Sequence, residues 1–136
     1  MSETEKHSLG DSEYRFACIV WENEPLGSGQ LVRLAAERLG WKKSTTYTVL
    51  KNLIEKGILK NEDSTVTSCV KKGQVQRYES SAVVSRTFDG SLPQFVAAFL
   101  GGNSLSAQDA AEIRRMLDDC QGSGGATGII LLQLWR

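Results

Sequence analysis

The chain has 136 residues, 40% of them apolar and 24% charged, which is ordinary for one globular domain or a small domain with an appendage. Sixteen basic residues balance sixteen acidic ones, so the net charge gives no overall attraction to nucleic acid. The first residues are polar, unlike a signal peptide, and no stretch reaches the roughly 20 apolar residues of a membrane span. These features argue against an integral membrane protein and predict a cytoplasmic one.

The sequence offers few groups for catalysis or metal binding. Cys18, Cys69 and Cys120 are far apart and form no Cys-x-x-Cys pair, which argues against disulfides and a zinc site. The single histidine, His7, lies in a polar N-terminal segment, and no glycine-rich phosphate loop occurs. We therefore expect no enzyme, and no bound metal, cofactor or small-molecule substrate.

Three helices are predicted in the first part of the chain, and the second and third are joined by a very short turn. A first helix over about residues 11–23 is predicted by an apolar stripe at helical spacing, formed by Tyr14, Ala17, Cys18 and Trp21. Residues 22–27 predict a turn, after which Ser28 can cap a second helix that ends at Gly40. Only residues 41–43 precede the next helix. A short glycine-containing turn between two helices is typical of a helix-turn-helix.

The helix after this turn, residues 44–56, has two different sides. Ser44 can cap it and Gly57 can end it. The inner side is predicted to carry Tyr47, Leu50, Leu53 and Ile54, and the outer side Thr45, Thr48, Lys51, Asn52 and Glu55. Hydroxyl, amide and lysine groups bond phosphates and base edges in the major groove. An ordinary surface helix fits the same pattern, but the helix-turn-helix context favours a recognition helix.

Positive charge is concentrated around this helix. Residues 38–60 carry six basic side chains and one acidic side chain, a local net charge of +5. Lys42 and Lys43 come just before the positive end of the helix dipole, which is a favourable place for phosphate contacts. A solvated turn is the alternative for these two lysines.

A small β-hairpin is predicted directly after the helix. Ile58, Leu59 and Lys60 favour a short strand, residues 61–64 a turn, and residues 65–70 a second strand. Such a hairpin is the wing of a winged helix. Lys60 and Asn61 are its candidate DNA contacts, although the acidic residues at its tip would repel phosphates.

Helical periodicity returns from residue 71, with three predicted helices whose apolar stripes are too short to form a core with the first domain. Ser91 and Ser106 are predicted to cap the second and third of these helices. We expect the stripes to meet those of a second copy in a two-fold dimer, which would present two recognition helices to two half-sites. The predicted dimerisation residues are Val75, Tyr78, Ala82, Leu92, Phe95, Val96, Phe99, Ile113, Met116 and Leu117.

The predicted fold class is mostly α with a small β-hairpin wing. It comprises a disordered tail (residues 1–10), a winged helix-turn-helix DNA-binding domain (11–71), a helical dimerisation domain (72–120) and a Gly-rich linker with an apolar tail (121–136). That tail could cover a dimer groove, dock on a partner, touch a membrane surface or have no role. An alternative function is therefore a winged-helix protein-interaction module that docks a partner through the tail.

Residues 9–120 resemble the BlaI/MecI/CopY (penicillinase repressor) family of bacterial winged-helix repressors. The resemblance depends on Trp21 and on S-T-T-Y-T-V-L-K-N-L-I-E-K-G-I-L at 44–59, which is similar to the family pattern S-T-x-Y-T-x-L-x-x-L-x-x-K-G. V-Q-R-Y-E-S at 75–80, F-D-G-S-L-P-Q-F-V-A-A-F at 88–99 and L-S at 105–106 support it.

This resemblance implies a homodimeric transcriptional repressor that binds dyad-symmetric operator DNA. The DNA-binding positions that it implies are Lys42, Lys43, Ser44, Thr45, Thr46, Tyr47 and Lys51. In the penicillinase-repressor branch, a membrane sensor protease triggers cleavage at an Asn-Phe bond in the dimerisation domain. The matching position here is Ala98-Phe99, where the asparagine is absent. The Cys-x-Cys motifs of the copper-responsive branch are also absent.

Overall fold

The computed structural model describes the backbone of residues 8–122 and the side chains of residues 8–120. The predicted tail residues 1–7, with His7, and the apolar tail 123–136 lie outside the described residues. Residues 8–10, predicted to be part of a disordered tail, are ordered in the structure, and Leu9 packs against the core. The described chain divides into two compact units after Val83.

The first unit begins with helix α1 (Asp11–Asn23), strand β1 (Leu26–Gly27) and helix α2 (Ser28–Leu39). The buried side of α1 consists of Phe16, Ala17, Ile19 and Val20. The predicted stripe of Tyr14, Ala17, Cys18 and Trp21 is therefore only partly correct. The stripe is wider and rotated because α1 packs against α2, the helix at residues 43–55 and the sheet at the same time.

The turn that follows α2 is fixed by Gly40, whose φ of 70° is left-handed as the sequence predicts. Trp41 then stacks on Phe16 at 5.5 Å between ring centroids, which ties the turn to the core. Helix α3 (Lys43–Glu55) starts two residues later and is followed by Gly57, with φ 78°. The helix-turn-helix is thus confirmed as a structure.

The wing is part of a three-stranded antiparallel sheet with the order β1-β3-β2. Strands β2 (Leu59–Glu62) and β3 (Thr65–Ser68) are joined by Asp63 and Ser64, both of which have positive φ, as a type I′ hairpin turn requires. The predicted turn at residues 61–64 is shorter than expected, because Asn61 and Glu62 pair with Val66 and Thr65. Strand β1 was not predicted, since Pro25 and Gly27 indicate a turn.

The remaining chain forms three helices, α4 (Lys72–Thr87), α5 (Leu92–Gly102) and α6 (Ala107–Gly122). The Ser91 hydroxyl accepts a hydrogen bond from Gln94 N at 3.2 Å, and that of Ser106 accepts one from Asp109 N at 3.0 Å, so both predicted caps are confirmed. No helix of the described residues is long and apolar enough to cross a membrane.

The predicted role of Val75 is wrong. Its side chain is completely buried in the core of the first unit and is unavailable for a contact between protomers. The reason is that α4 begins within the first unit, which extends to Val83, whereas the sequence predicted that the DNA-binding domain ends at residue 71.

Candidate nucleic-acid interface

Helix α3 is anchored by a narrow buried side. Thr46, Leu50 and Leu53 are fully buried, and Val49 is partly buried against the same core. These positions differ by three or four residues and therefore lie on one side of the helix. Because only this side is covered, the rest of the helix surface is free to meet a ligand.

Six of the seven DNA-binding residues implied by the family resemblance are exposed on α3 or at its start. They are Lys42, Lys43, Ser44, Thr45, Tyr47 and Lys51. They bring lysines, hydroxyls and one aromatic ring together between the turn and Lys51. Contact of these residues with DNA stays a prediction.

Thr46 is the exception, and its predicted DNA contact is wrong. The side chain is 1% exposed, and its hydroxyl donates a hydrogen bond to the Lys42 carbonyl at 3.1 Å. The residue lies four positions before Leu50 and seven before Leu53, which places it on the inner side. A search for that spacing would have identified it from the sequence.

Two other residues of α3 were predicted to be buried but are exposed. Tyr47 and Ile54, expected on the inner side, are 39% and 38% exposed. The reason is that the buried side is centred on Thr46 and Leu53, one residue earlier than the sequence reading placed it. Tyr47 is thus available as a contact, whereas its contribution to the core is small.

The start of α3 lies one residue before the prediction. The helix begins at Lys43, and Lys42 occupies the N-cap position without a side-chain cap bond. Ser44, predicted to cap the helix, is instead in its first turn and is exposed. Ser44 therefore does not cap the helix, and its side chain is accessible to a ligand.

The +5 charge of the sequence window is unevenly neutralised in the structure. Arg38 pairs with Glu22 at 2.9 Å, Lys56 with Glu13 at 2.8 Å, and Lys60 with Glu62 at 3.6 Å. Within residues 8–120, no ion pair involves the other three basic side chains, Lys42, Lys43 and Lys51. The unneutralised positive charge thus lies between Lys42 and Lys51, at the turn and along α3.

Lys43 also lies close to an aromatic ring. Its ammonium nitrogen is 6.0 Å from the centroid of the Tyr47 ring, one helical turn further on. This is the outer limit of a cation–π interaction, so the contact orients the lysine only weakly. The ammonium group retains its capacity to bind a phosphate.

Two residues outside the implied set share the exposed surface of α3. Thr48 is exposed, and its hydroxyl donates to the Ser44 carbonyl at 2.9 Å, which leaves its methyl group and oxygen lone pairs for a ligand. Asn52 is exposed one turn later. Asparagine can form two hydrogen bonds with adenine, and a threonine methyl can contact the thymine methyl.

The wing carries little unneutralised positive charge, in agreement with the acidic tip that the sequence predicts. Lys60 pairs with Glu62, and Glu62 and Asp63 at the tip are exposed. The tip is held at the base of α2, because Ser28 N donates a hydrogen bond to the Ser64 carbonyl at 2.9 Å. Lys60 and Asn61 are exposed, and their contact with DNA remains a prediction.

A partly buried carboxylate joins the end of α1 to the end of strand β3. The Glu24 carboxylate accepts hydrogen bonds from Ser68 N at 3.0 Å and Ser68 Oγ at 2.7 Å, and it lies 3.4 Å from Lys71 Nζ. Burial raises the pKa of Glu24, but the bonds from Ser68 and the charge of Lys71 outweigh it, so its pKa lies below the ordinary value. Glu24 therefore joins the end of α1 to the end of the sheet as a charged group.

The described residues give no sign of a metal centre. Among them, no three His, Cys, Asp or Glu side chains are grouped so as to hold a metal ion. The chemistry that this surface offers is that of hydrogen bonding and charge.

Comparison with known proteins gives one consistent result. The family model of the penicillinase repressor matches residues 9–119. The chain is 21% identical to the penicillinase repressor of Bacillus licheniformis over 115 residues, which cover 82% of this chain and 90% of that protein. It is 18% identical to the methicillin resistance regulatory protein MecI of Staphylococcus aureus over 120 residues, which cover 85% and 98% of the two chains. Together with the winged helix-turn-helix described above, the match shows that this chain belongs to the penicillinase repressor family of transcriptional regulators.

Proposed function

We propose that the protein is a homodimeric repressor whose two α3 helices bind the two half-sites of a dyad-symmetric operator. The observation that carries the proposal is the composition of the exposed surface of α3. Three lysines without ion-pair partners among the described residues adjoin the hydroxyls of Ser44, Thr45 and Thr48. Lysines bind phosphates and fix position, whereas hydroxyl and amide groups distinguish base edges.

The second unit supports the dimeric part of the proposal. Within residues 84–120, no side chain is fully buried, and α5 contains no buried residue at all. Large apolar side chains of this region are exposed at helical spacing: Leu92, Val96, Phe99, Leu100, Ile113, Met116 and Leu117. An exposed apolar surface of this extent is typical of a region that is covered by a partner. Phe95, also predicted for dimerisation, is partly buried against Phe88 at 5.5 Å.

Two predicted dimer contacts lie on α4 and are only partly accessible. Tyr78 and Ala82 are partly buried and belong to the first unit. Their participation in a dimer remains a prediction. The exposed apolar residues of α5 and α6 are therefore the better candidates for the interface.

The predicted cleavage position also remains a proposal. Ala98 and Phe99 are exposed in the middle of α5. A protease that requires an extended substrate would have to unwind this helix. A membrane sensor protease is the partner that the family resemblance implies, and its action on residues 98–99 is tested by mapping the fragments after induction. The alternative docking function through the tail at residues 121–136 depends on a segment of which residues 123–136 lie outside the described residues, and no structural observation favours it.

The proposal is tested by selecting duplexes from random-sequence DNA with the full chain and measuring their affinity by fluorescence anisotropy at several salt concentrations. We expect a dyad-symmetric consensus and an affinity that falls steeply with salt, because counterions are released from phosphates. Lys43→Ala should weaken binding to all duplexes by a similar factor and reduce the salt slope by about 1. Arg38→Ala removes an equal charge that Glu22 already neutralises, and should have a smaller effect. Absence of any selected sequence and of binding at low salt would overturn the proposal.

A further inference from the structure

Helix α4 has one fully buried side chain, which lies in the first unit. All of its residues are described, and Val75 is the only one that is fully buried. The other apolar side chains of this helix within the unit, such as those of Tyr78 and Ala82, are only partly buried. Its direction must therefore be fixed by contacts elsewhere along its length.

Three hydrogen bonds provide such contacts along the adjoining helix α1. Trp21 Nε1 donates to the Val70 carbonyl at 2.9 Å, just before α4 begins. Gln76 Nε2 donates to the Tyr14 hydroxyl at 3.2 Å. The Glu79 carboxylate accepts from the backbone nitrogen of Leu9, just before α1, at 3.1 Å. One partner falls in number from Trp21 through Tyr14 to Leu9, and the other rises from Val70 through Gln76 to Glu79. The three bonds therefore run along α1 and α4 in opposite chain directions.

The side chains on α1 are themselves held in place. The rings of Tyr14 and Trp21 meet edge to face at 5.8 Å between centroids. Both rings are partly buried and pack against the core. The hydrogen-bonding groups that contact α4 thus belong to side chains that are packed against the core.

We infer that Tyr14, Trp21 and Glu79 are positioning residues that fix the direction of α4 and thereby the operator spacing that a dimer accepts. The inference depends on the proposed function, because spacing has a meaning only for two half-sites. Helix α4 is continuous across the division after Val83 and ends at Thr87 in the second unit. Any change in its direction is therefore carried into the unit that is expected to dimerise.

The length of α4 amplifies small changes at its base. From Val75 to Thr87 the helix rises about 18 Å, at roughly 1.5 Å per residue. A swing of about 20° about Val75 would move its end by roughly 6 Å, which is close to two base-pair steps of about 3.4 Å. Loss of the hydrogen bonds should thus relax the spacing preference without altering the reading surface of α3.

The experiment compares the wild-type chain with the double variant Tyr14→Phe/Glu79→Ala on a duplex selected by the wild type. Derivatives of that duplex have their centre lengthened or shortened by one to three base pairs. A duplex with a single half-site measures the affinity of one α3 helix without the effect of spacing. For the wild type we expect a loss of about 100-fold when the spacing prevents simultaneous binding. For the double variant we expect a loss of about tenfold or less on the same duplexes, with unchanged affinity for the half-site.

Two controls separate positioning from general damage. Glu79→Gln keeps an acceptor oxygen for Leu9 N and should retain the wild-type spacing profile, as should Ser81→Ala at an exposed position of the same helix. Gln76→Ala, which removes only the donor to Tyr14, provides a milder variant should the double variant not fold.

The outcomes distinguish this inference from the proposed function. A wild-type chain that selects no duplex would overturn both. A wild-type chain with a sharp spacing optimum that is equally sharp in Tyr14→Phe/Glu79→Ala and Gln76→Ala would overturn the positioning role alone. A flattened profile with preserved half-site binding would support it.

Discussion

Neighbouring threonines of α3 have opposite environments, and their substitutions should have opposite effects. Thr46 is buried and bonded to Lys42, so Thr46→Ala should lower the free energy of unfolding by about 1–2 kcal/mol, from lost burial and a lost hydrogen bond. It should leave the selected DNA sequence unchanged. Thr48→Ala, at an exposed position, should change stability by less than about 0.5 kcal/mol but alter base preference. Urea unfolding and duplex selection measure the two effects, and a changed consensus for Thr46→Ala would contradict this assignment.

Glu24 makes stability depend on acid pH. Its pKa is lowered in the folded state, so the unfolded chain takes up the proton first as the pH falls. The stabilisation is therefore complete above the ordinary carboxyl value near 4.5 and is lost as the pH falls through the lower folded value. Glu24→Gln should lower the unfolding free energy by about 1–2 kcal/mol at neutral pH. The difference in unfolding free energy between this variant and the wild type should become smaller when the pH falls below the ordinary carboxyl pKa.

Glu22→Gln serves as the matched control, since Glu22 and its partner Arg38 are largely exposed. Removing this surface pair should cost less than about 0.5 kcal/mol, and screening by salt should reduce the effect further. Unfolding free energies of both variants across the acid range provide the measurement. A pH-independent deficit in Glu24→Gln would show that its charge is not the source of stabilisation.

At the scale of elements, the glycine after α3 is required by its backbone conformation. Gly57 has φ 78°, and a Cβ at this position would meet no atom within 4 Å. The cost of Gly57→Ala should therefore come from the left-handed backbone alone and amount to about 1–2 kcal/mol. Gly29→Ala, in the first turn of α2 and equally open, should instead stabilise the fold by up to about 1 kcal/mol. Thermal unfolding of both variants measures the two changes in stability, and changes of the same sign would contradict the prediction.

The sequence predicted the elements well and their contacts less well. The glycines after α2 and α3, the caps at Ser91 and Ser106, and the hairpin follow from local backbone preferences, which the sequence carries directly. The pairing of Leu26 with Val66 is long-range and has no local signal, so β1 was missed. The burial of Thr46 was missed for a related reason: a hydroxyl residue suggests an exposed position, whereas its own helix supplies the hydrogen-bond acceptor.

For the candidate site, sequence reasoning identified the helix but not which charges remain available. Lys56 and Lys60 contribute to the basic window, yet Glu13 and Glu62 neutralise them. Glu13 is 43 residues away from Lys56 in the chain, so this pair could not be predicted from periodicity. The exposed lysines of α3 differ from the other basic residues of the window in having no ion-pair partner among the described residues, and only the tertiary structure shows this difference.

At the scale of the whole molecule, the apolar surface of α5 and α6 should control assembly. Leu117 is 53% exposed on α6, and Leu117→Glu would place a charge in a dimer interface at a cost of several kcal/mol. We expect this variant to be monomeric in sedimentation equilibrium and the wild type to be dimeric. Arg115→Glu changes charge on the opposite side of the same helix and should leave the dimer intact. A dimeric Leu117→Glu would place the interface elsewhere.

The absence of fully buried side chains within residues 84–120 has a consequence for gene dosage. If these helices reach their working arrangement only with a second copy, mass action makes the quantity of operator-competent protein rise with the square of chain concentration when the chain is scarce. Halving synthesis would then remove about three quarters of that species under these conditions. Transcription of the regulated genes would thus respond to modest changes in repressor supply more sharply than a monomeric regulator allows.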